Sequence, residues 1–397
     1  MLGELRAEGM TELDELESAL AADPIIGSRL DQDVISTGGG GQNWQAASLV
    51  QVLVDRVLDK ADGFDVPPTT REEVIAEWAE VLRRPADRIV VIVALSEFRA
   101  DDPPVDLASD LQIHLLRDDE ISAALRMNAG RAGMALDERW VSPTFGIRSF
   151  YESRLYIGAV PSEKSEEETA LRTKATERAA RVLLALRLFK RGRVAWSGNF
   201  ECTISPGGEV SPAAGSFGPS FGWHAGDPYV LEPEEHEPFR DLWVALEKVH
   251  ADDKVAGPLR RFTFAAERAL PEDKIVDLVI AAESLFLGDI KPSDRGELRF
   301  RLSTRVALLL GETVAERKQI FAFMRRAYDA RSGLAHGGSA GEKNLRAVDG
   351  KPVSAAEFAS ALEDVIRRAL QLAVQRLAGR EGFPPDWEDL MFELASE

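Results

Sequence analysis

Hydrophobic residues follow two different rhythms along this chain. Up to about residue 230 they come in short runs. The stretch 89–95 is continuously apolar, 111–116 and 155–160 also read as strands, and 194–204 nearly alternates apolar with polar residues. Between these lie helical stretches. An acidic helix is expected at about 11–22 and further helices at 43–60 and 71–84, the latter opened by a Thr70–Glu73 capping box and closed by Pro85. Another is expected from Ser165, paired with Glu168, to about Lys190. Residues 205–227 are rich in Gly, Pro and Ser and read as a long loop, with the main domain boundary there or just after it.

Beyond Pro233 the strand signals stop and apolar residues recur every three or four positions. Helices are expected at 237–250 and 257–269, then from Pro271 to a stop at Gly288, and at 295–310. Two more start from the capping boxes Thr313–Glu316 and Ser354–Glu357. Phe239, Trp243, Ile275, Leu278, Phe323 and Leu362 fall on the inward stripes of these helices. The expected fold is an α+β region over 1–230, of underived topology and a regulatory or sensor role, then an all-α bundle over 235–380 and a tail over 381–397.

Composition narrows the class. Hydrophobic residues make up 45% of 397, enough for more than one packed core. Cys202 is the only cysteine, so neither an intrachain disulfide nor a cysteine-rich zinc cage is possible. No basic start followed by an apolar stretch opens the chain, and no apolar run approaches the ~20 residues that span a bilayer. A cytoplasmic protein with no membrane partner is expected. The four-glycine run 38–41 lacks the Gly-Lys-Ser/Thr of a phosphate loop.

Net charge is -19, which by itself disfavours a polyanionic partner. The charge is uneven, however. Between Lys291 and Arg331 there are ten Lys/Arg against five Asp/Glu, a local excess of +5. A second basic run, from Arg172 to Arg193, follows the helix expected at 165–190. It reads as a solvated face paired with acids or as a surface for RNA backbone.

Within the basic excess lies Arg331-Ser332-Gly333-Leu334-Ala335-His336-Gly337, at the end of the helix that Thr313 caps. Upstream stand Ala282-Glu283-Ser284-Leu285 and Arg305-Val306-Ala307-Leu308-Leu309, and the segment itself begins at Tyr328. These three motifs, in this order and each on a helix, resemble the Apea-like HEPN family over about 140 residues.

The resemblance implies a metal-independent endoribonuclease without a cofactor, in which the ribose 2′-hydroxyl attacks the phosphodiester. It also implies a toxin or antiviral defence role, and a homodimer through the C-terminal bundle that unites two copies of the motif. On this reading Arg331 and His336 are catalytic. Histidine exchanges protons near neutral pH, and the permanently charged guanidinium steadies phosphate oxygens. Glu283, Arg305, Tyr328 and Ser332 would support them, and Arg301, Arg325 and Arg326 would contact RNA. Ser332 stands where many active members carry Asn, Asp or His.

An unbroken helix would turn Arg331 and His336 about 140° apart, so Gly333 is expected to break it. Plainer roles stand beside these. His336 would serve as a C-terminal cap, Arg331 would pair with Glu283 or Asp329, Arg305 would lie on the bundle surface, and Tyr328 would be core or interface. The bundle would then be a non-catalytic RNA- or nucleotide-binding module, or a dimerisation scaffold.

Overall fold

The computed structural model describes residues 11–24, 27–28, 33–36, 40–43, 53–54, 57–58, 60–61, 65–83, 86–101, 103–118, 120–121, 145–157, 162–204, 210–217, 228–290, 297–336 and 338–393. Most of the helix expected at 43–60, strand residues 158–160, and Lys291 and Arg295 of the basic excess lie outside them. The chain divides into two compact units, each assembled from three segments.

The first unit takes Met1–Leu95, Pro103–Ala180 and Trp196–Gly218. Its strands are β1 (Asp33–Ser36), β2 (Gly40–Asn43), β3 (Ala86–Ser96, up to Leu95), β5 (Val105–Ala108), β6 (Leu111–Leu115), β7 (Phe145–Ile157), β8 (Ala195–Ile204, from its second residue on) and β9 (Val210–Phe217). They form one sheet in the order β2-β1-β7-β3-β8-β9, with β6 on β7 and β5 on β6. The pairs β1–β2, β1–β7, β3–β7, β5–β6, β6–β7 and β8–β9 are antiparallel.

β3 explains its own sequence. Residues 89–95 are all buried, so both faces of the strand are covered and neither needs polar residues. On one face Val90, Ile92 and Ala94 pack with Leu116, Phe200 and Cys202. Helices α1 (Thr11–Ala22), α2 (Pro68–Arg83) and the first part of α3 (Ser162–Phe189) also belong to this unit. α2 starts at Pro68, so Thr70 lies inside its first turn instead of capping it. β9 falls within the stretch expected to be loop. Its Gly/Pro/Ser composition hides a strand that pairs with β8 from Gly198↔Phe217 to Ile204↔Val210, with a register shift between Glu201 and Cys202.

The second unit takes Ser96–Asp102, Arg181–Ala195 and Pro219–Glu397. The single cut expected near residue 230 is replaced by this interleaved division. β4 (Phe98–Ala100) pairs in parallel with β10 (Tyr229–Leu231), and Phe98 stacks on Tyr229 at 5.7 Å. The remainder is helical: α4 (His236–Glu247), α5 (Ala256–Ala266), α6 (Pro271–Leu287), α7 (Leu298–Leu310), α8 (Val314–Ala335), α9 (Ala355–Ala378) and α10 (Trp387–Glu393). α6 is the central rod. Ile275, Leu278, Val279, Ala281, Ala282, Leu285 and Phe286 are buried around most of its circumference, as a helix packed by several neighbours requires. The expected tail belongs to this unit, because Phe383 and Trp387 pack on Phe286 at ring distances of 6.4 and 5.8 Å. No helix among the described residues is long and apolar enough to cross a membrane.

The end of α3 is fastened into the second unit by polar clips. Arg181 donates to the carbonyls of Leu246 and Val249 at the C-terminus of α4, where the dipole favours a cation. Arg187 is buried and pairs with Glu267 at 3.0 Å, Lys190 pairs with Glu235, and Arg193 pairs with Glu97 at 3.0 Å. From α9, buried Arg367 donates to the Arg187 carbonyl at 2.9 Å and pairs with Glu363 and Asp364. Gln371 donates to the carbonyls of Leu188 and Phe189, so side chains of α9 satisfy the last turn of α3. Asp364 also takes Arg191.

Candidate functional site

α8 begins where the capping box places it. The Thr313 hydroxyl accepts from the Glu316 backbone N–H at 3.2 Å, and the Glu316 carboxylate accepts from the N–H groups of Thr313 and Glu312 at 3.2 and 3.0 Å. The buried side of the helix is Ile320, Phe323, Met324, Ala327 and Ala330. It then continues without interruption through Gly333 to Ala335, and His336 is its C-cap.

Gly333 therefore does not break the helix as its composition suggested. A Cβ at this position would lie 2.6 Å from the Ser339 carbonyl oxygen, and the Gly333 carbonyl accepts from the Gly338 N–H at 3.1 Å. The glycine makes room for the chain folding back after α8. Over an unbroken turn and a half, Arg331 and His336 diverge by about 140°.

Arg331 turns toward α6, where its guanidinium meets the Glu283 carboxylate at 3.4 Å. Of the two acids the sequence offered it, the partner is Glu283, because Asp329 is held by Arg299 at 2.8 and 3.0 Å. Burial pushes the Glu283 carboxyl above the ordinary carboxylate range, and the nearby Arg331 charge acts against that shift. The Arg331 Nε is buried without an acceptor among the described residues. His336 is exposed, and its imidazole has no hydrogen-bond or ion-pair partner among the described residues.

The remaining residues separate into two groups. Arg305 does not join Arg331. It donates to the Phe286 carbonyl, pairs with Asp289 at 2.6 Å and lies 5.1 Å over the Trp387 ring, so it closes the end of α6. Arg326 is spent on the Ala347 carbonyl at 2.9 Å and on the Phe323 ring, where it steadies the connection between α8 and α9. By contrast, Tyr328 and Ser332 are half-buried, and Arg325 and Arg301 are exposed. Arg325 lies 5.8 Å over the Phe321 ring. Tyr328, Ser332 and Arg325 share the face of α8 that ends at His336, while Arg331 is on another.

One cluster had no sequence signal. In the first unit, buried Glu120 accepts from the Arg117 N–H at 2.9 Å and from Arg148, and its other partner is His114 Nε2 at 2.9 Å. Burial pushes the Glu120 carboxyl up, but the His114, Arg117 and Arg148 interactions outweigh it and hold the group below the ordinary range. This network pins a helical turn onto the sheet. No group of three or more His, Cys, Asp or Glu side chains suited to a metal ion occurs among the described residues. Comparison of the chain with family models, curated proteins and solved structures gives no match.

Proposed function

We propose that this protein is a metal-independent endoribonuclease of HEPN type, acting as a toxin or antiviral defence effector, with His336 as its proton-transfer group. The observation that supports the reading best is the exposed His336 imidazole at the end of α8, without a partner among the described residues, on a basic stretch of an acidic chain. Arg331 and His336 of one chain point apart, so the reaction requires two copies. In an isologous pair, His336 of one copy approaches Arg331 of its partner. Arg331 then leaves Glu283 or shares it, and its guanidinium steadies the phosphate while the 2′-hydroxyl loses its proton. The 2′-oxygen bonds to phosphorus, the 5′-oxygen leaves with a proton, and a cyclic phosphate remains.

The test is cleavage of single-stranded RNA in chelator-treated buffer. His336→Ala is expected to lower the rate by at least about 100-fold, the scale of a lost general acid–base, with an unchanged melting temperature. Undiminished cleavage by this variant would overturn the reading. A second reading is favoured by the Arg331–Glu283 ion pair, which gives the arginine a structural role. On that reading the bundle binds RNA without cutting it, and the same assay returns intact, bound RNA.

A further inference from the structure

The face of α8 that ends at His336 is neither apolar, as a seam between helices would be, nor evenly mixed, as an ordinary solvated surface would be. Lys318, Phe321, Arg325, Tyr328, Ser332 and His336 succeed one another at intervals of three or four residues, so they form a single stripe about 27 Å long. On the neighbouring helix α7, Phe300 is 53% exposed and meets Phe321 edge-on at 5.6 Å. The Arg325 guanidinium lies 5.8 Å from the centre of the Phe321 ring.

Charge gives the stripe its sign. Lys318 and Arg325 have no ion-pair partner among the described residues, and Arg301 beside Phe300 is exposed and likewise unpaired. The acid on this side of α8, Asp329, is neutralised by two hydrogen bonds from Arg299. Glu297, at the α7 N-cap, is the acid of the neighbouring helix. Among the described residues, Lys318, Arg325, Arg301 and Arg299 against Asp329 and Glu297 leave a positive strip on a chain of net charge -19.

An exposed Phe300 ring and a half-buried Phe321 ring beside cations without partners among the described residues suit a single-stranded nucleic acid, whose bases stack and whose phosphates need countercharge. A second copy of the chain fits less well. Antiparallel pairing of the stripe on itself about Arg325 would oppose two like charges, and of the described acids of α8, Asp329 is held by Arg299 and Glu316 is engaged in the helix cap.

We propose that this stripe is a track for single-stranded RNA, with Phe300 and Phe321 stacking bases, Lys318 and Arg325 contacting phosphates, and the strand leading to His336. The inference rests on the reading of the protein as an RNA-handling enzyme, and it assigns the approach path to Arg325 and the phenylalanines, not to Arg331.

The test is fluorescence anisotropy of a labelled, 2′-O-methylated single-stranded RNA of about a dozen nucleotides, which binds but cannot be cleaved. Phe300→Ala with Phe321→Ala should weaken binding by tenfold or more, the scale of lost base stacking, without changing the salt dependence. Arg325→Gln should weaken it several-fold and reduce the slope of log affinity against log salt by about 0.7, one phosphate contact on a single strand. Unchanged affinity in both variants, or no binding by the native chain, overturns the track. So does a change of oligomeric state in either variant by light scattering, since the face would then be a protein interface. If native protein binds this RNA through the stripe yet leaves ordinary RNA uncut, the track stands and the nuclease fails. If it cuts RNA but both variants bind as native, the nuclease stands and the track fails.

Discussion

Two arginine-rich stretches of the second unit are similarly basic, but only one keeps cations without partners among the described residues. At the end of α3, Arg181, Arg187, Lys190, Arg191 and Arg193 each find an acid or a helix-terminal carbonyl. On the outer face of α8, Lys318 and Arg325 have no acid within ion-pair reach among the described residues, and the one nearby carboxylate on that helix is already taken by Arg299. The lesson is electrostatic. A basic run becomes a ligand surface only where tertiary structure withholds counterions, and a count of charges along the chain cannot register that. The Arg181–Arg193 part of the α3 run, which the sequence offered as a solvated face or an RNA surface, is spent on fastening.

If that contrast is right, changes in the two stretches should have different consequences. The largest effect on stability is expected at Arg367, the buried hub that ties α9 to the end of α3. Arg367→Ala leaves Glu363, Asp364 and the Arg187 carbonyl short of their donor and should cost about 3 kcal/mol, measured by urea denaturation. Next is Arg181→Met, which keeps the apolar stem but removes the donor to two α4 carbonyls. A loss of about 2 kcal/mol is expected, and an unchanged midpoint would mean these clips are incidental.

Glu283 sharpens the contrast from the site side. Its carboxyl is raised above the ordinary range by burial, so its favourable contribution to folding is fully present below the ordinary glutamate pKa of ~4.3 and is lost as pH rises through the raised value. The stability of native protein relative to Glu283→Gln should therefore fall as pH climbs through the window just above 4.3 and be flat on either side. A difference rising with pH there would show that Arg331 outweighs burial. The smallest effect is expected on α8 itself. Lys318→Gln and Arg325→Gln should each change stability by less than about 0.5 kcal/mol, since neither side chain anchors the fold.

The local signals proved readable where their chemistry is local. The Thr313–Glu316 and Ser354–Glu357 boxes set the starts of α8 and α9, and Pro271 and Gly288 bound α6. The continuous apolar run at 89–95 is the doubly covered strand β3. What failed depends on partners remote in sequence. β9 needs β8 to become a strand, β4 needs β10, and Gly333 was misread because the Ser339 carbonyl that demands it comes from the returning chain. In the candidate site, Arg331 with Glu283 was one of two pairings the sequence left open, and the structure selects it. The arc of half-buried Phe321, exposed Arg325 and half-buried Ser332 follows helical spacing that the sequence carries. Its lack of counterions was not legible there, because Arg299 had to be seen on Asp329 first.

The contrast between the two basic stretches can be tested by ultraviolet crosslinking of full-length protein to single-stranded RNA, followed by mass spectrometric mapping of the adducts. Adducts confined to peptides spanning Phe300 and Phe321–His336, with none at Arg181–Arg193, are expected. Adducts concentrated on the α3 peptide, or none at all above a denatured control, would contradict the assignment of the free basic surface to α8.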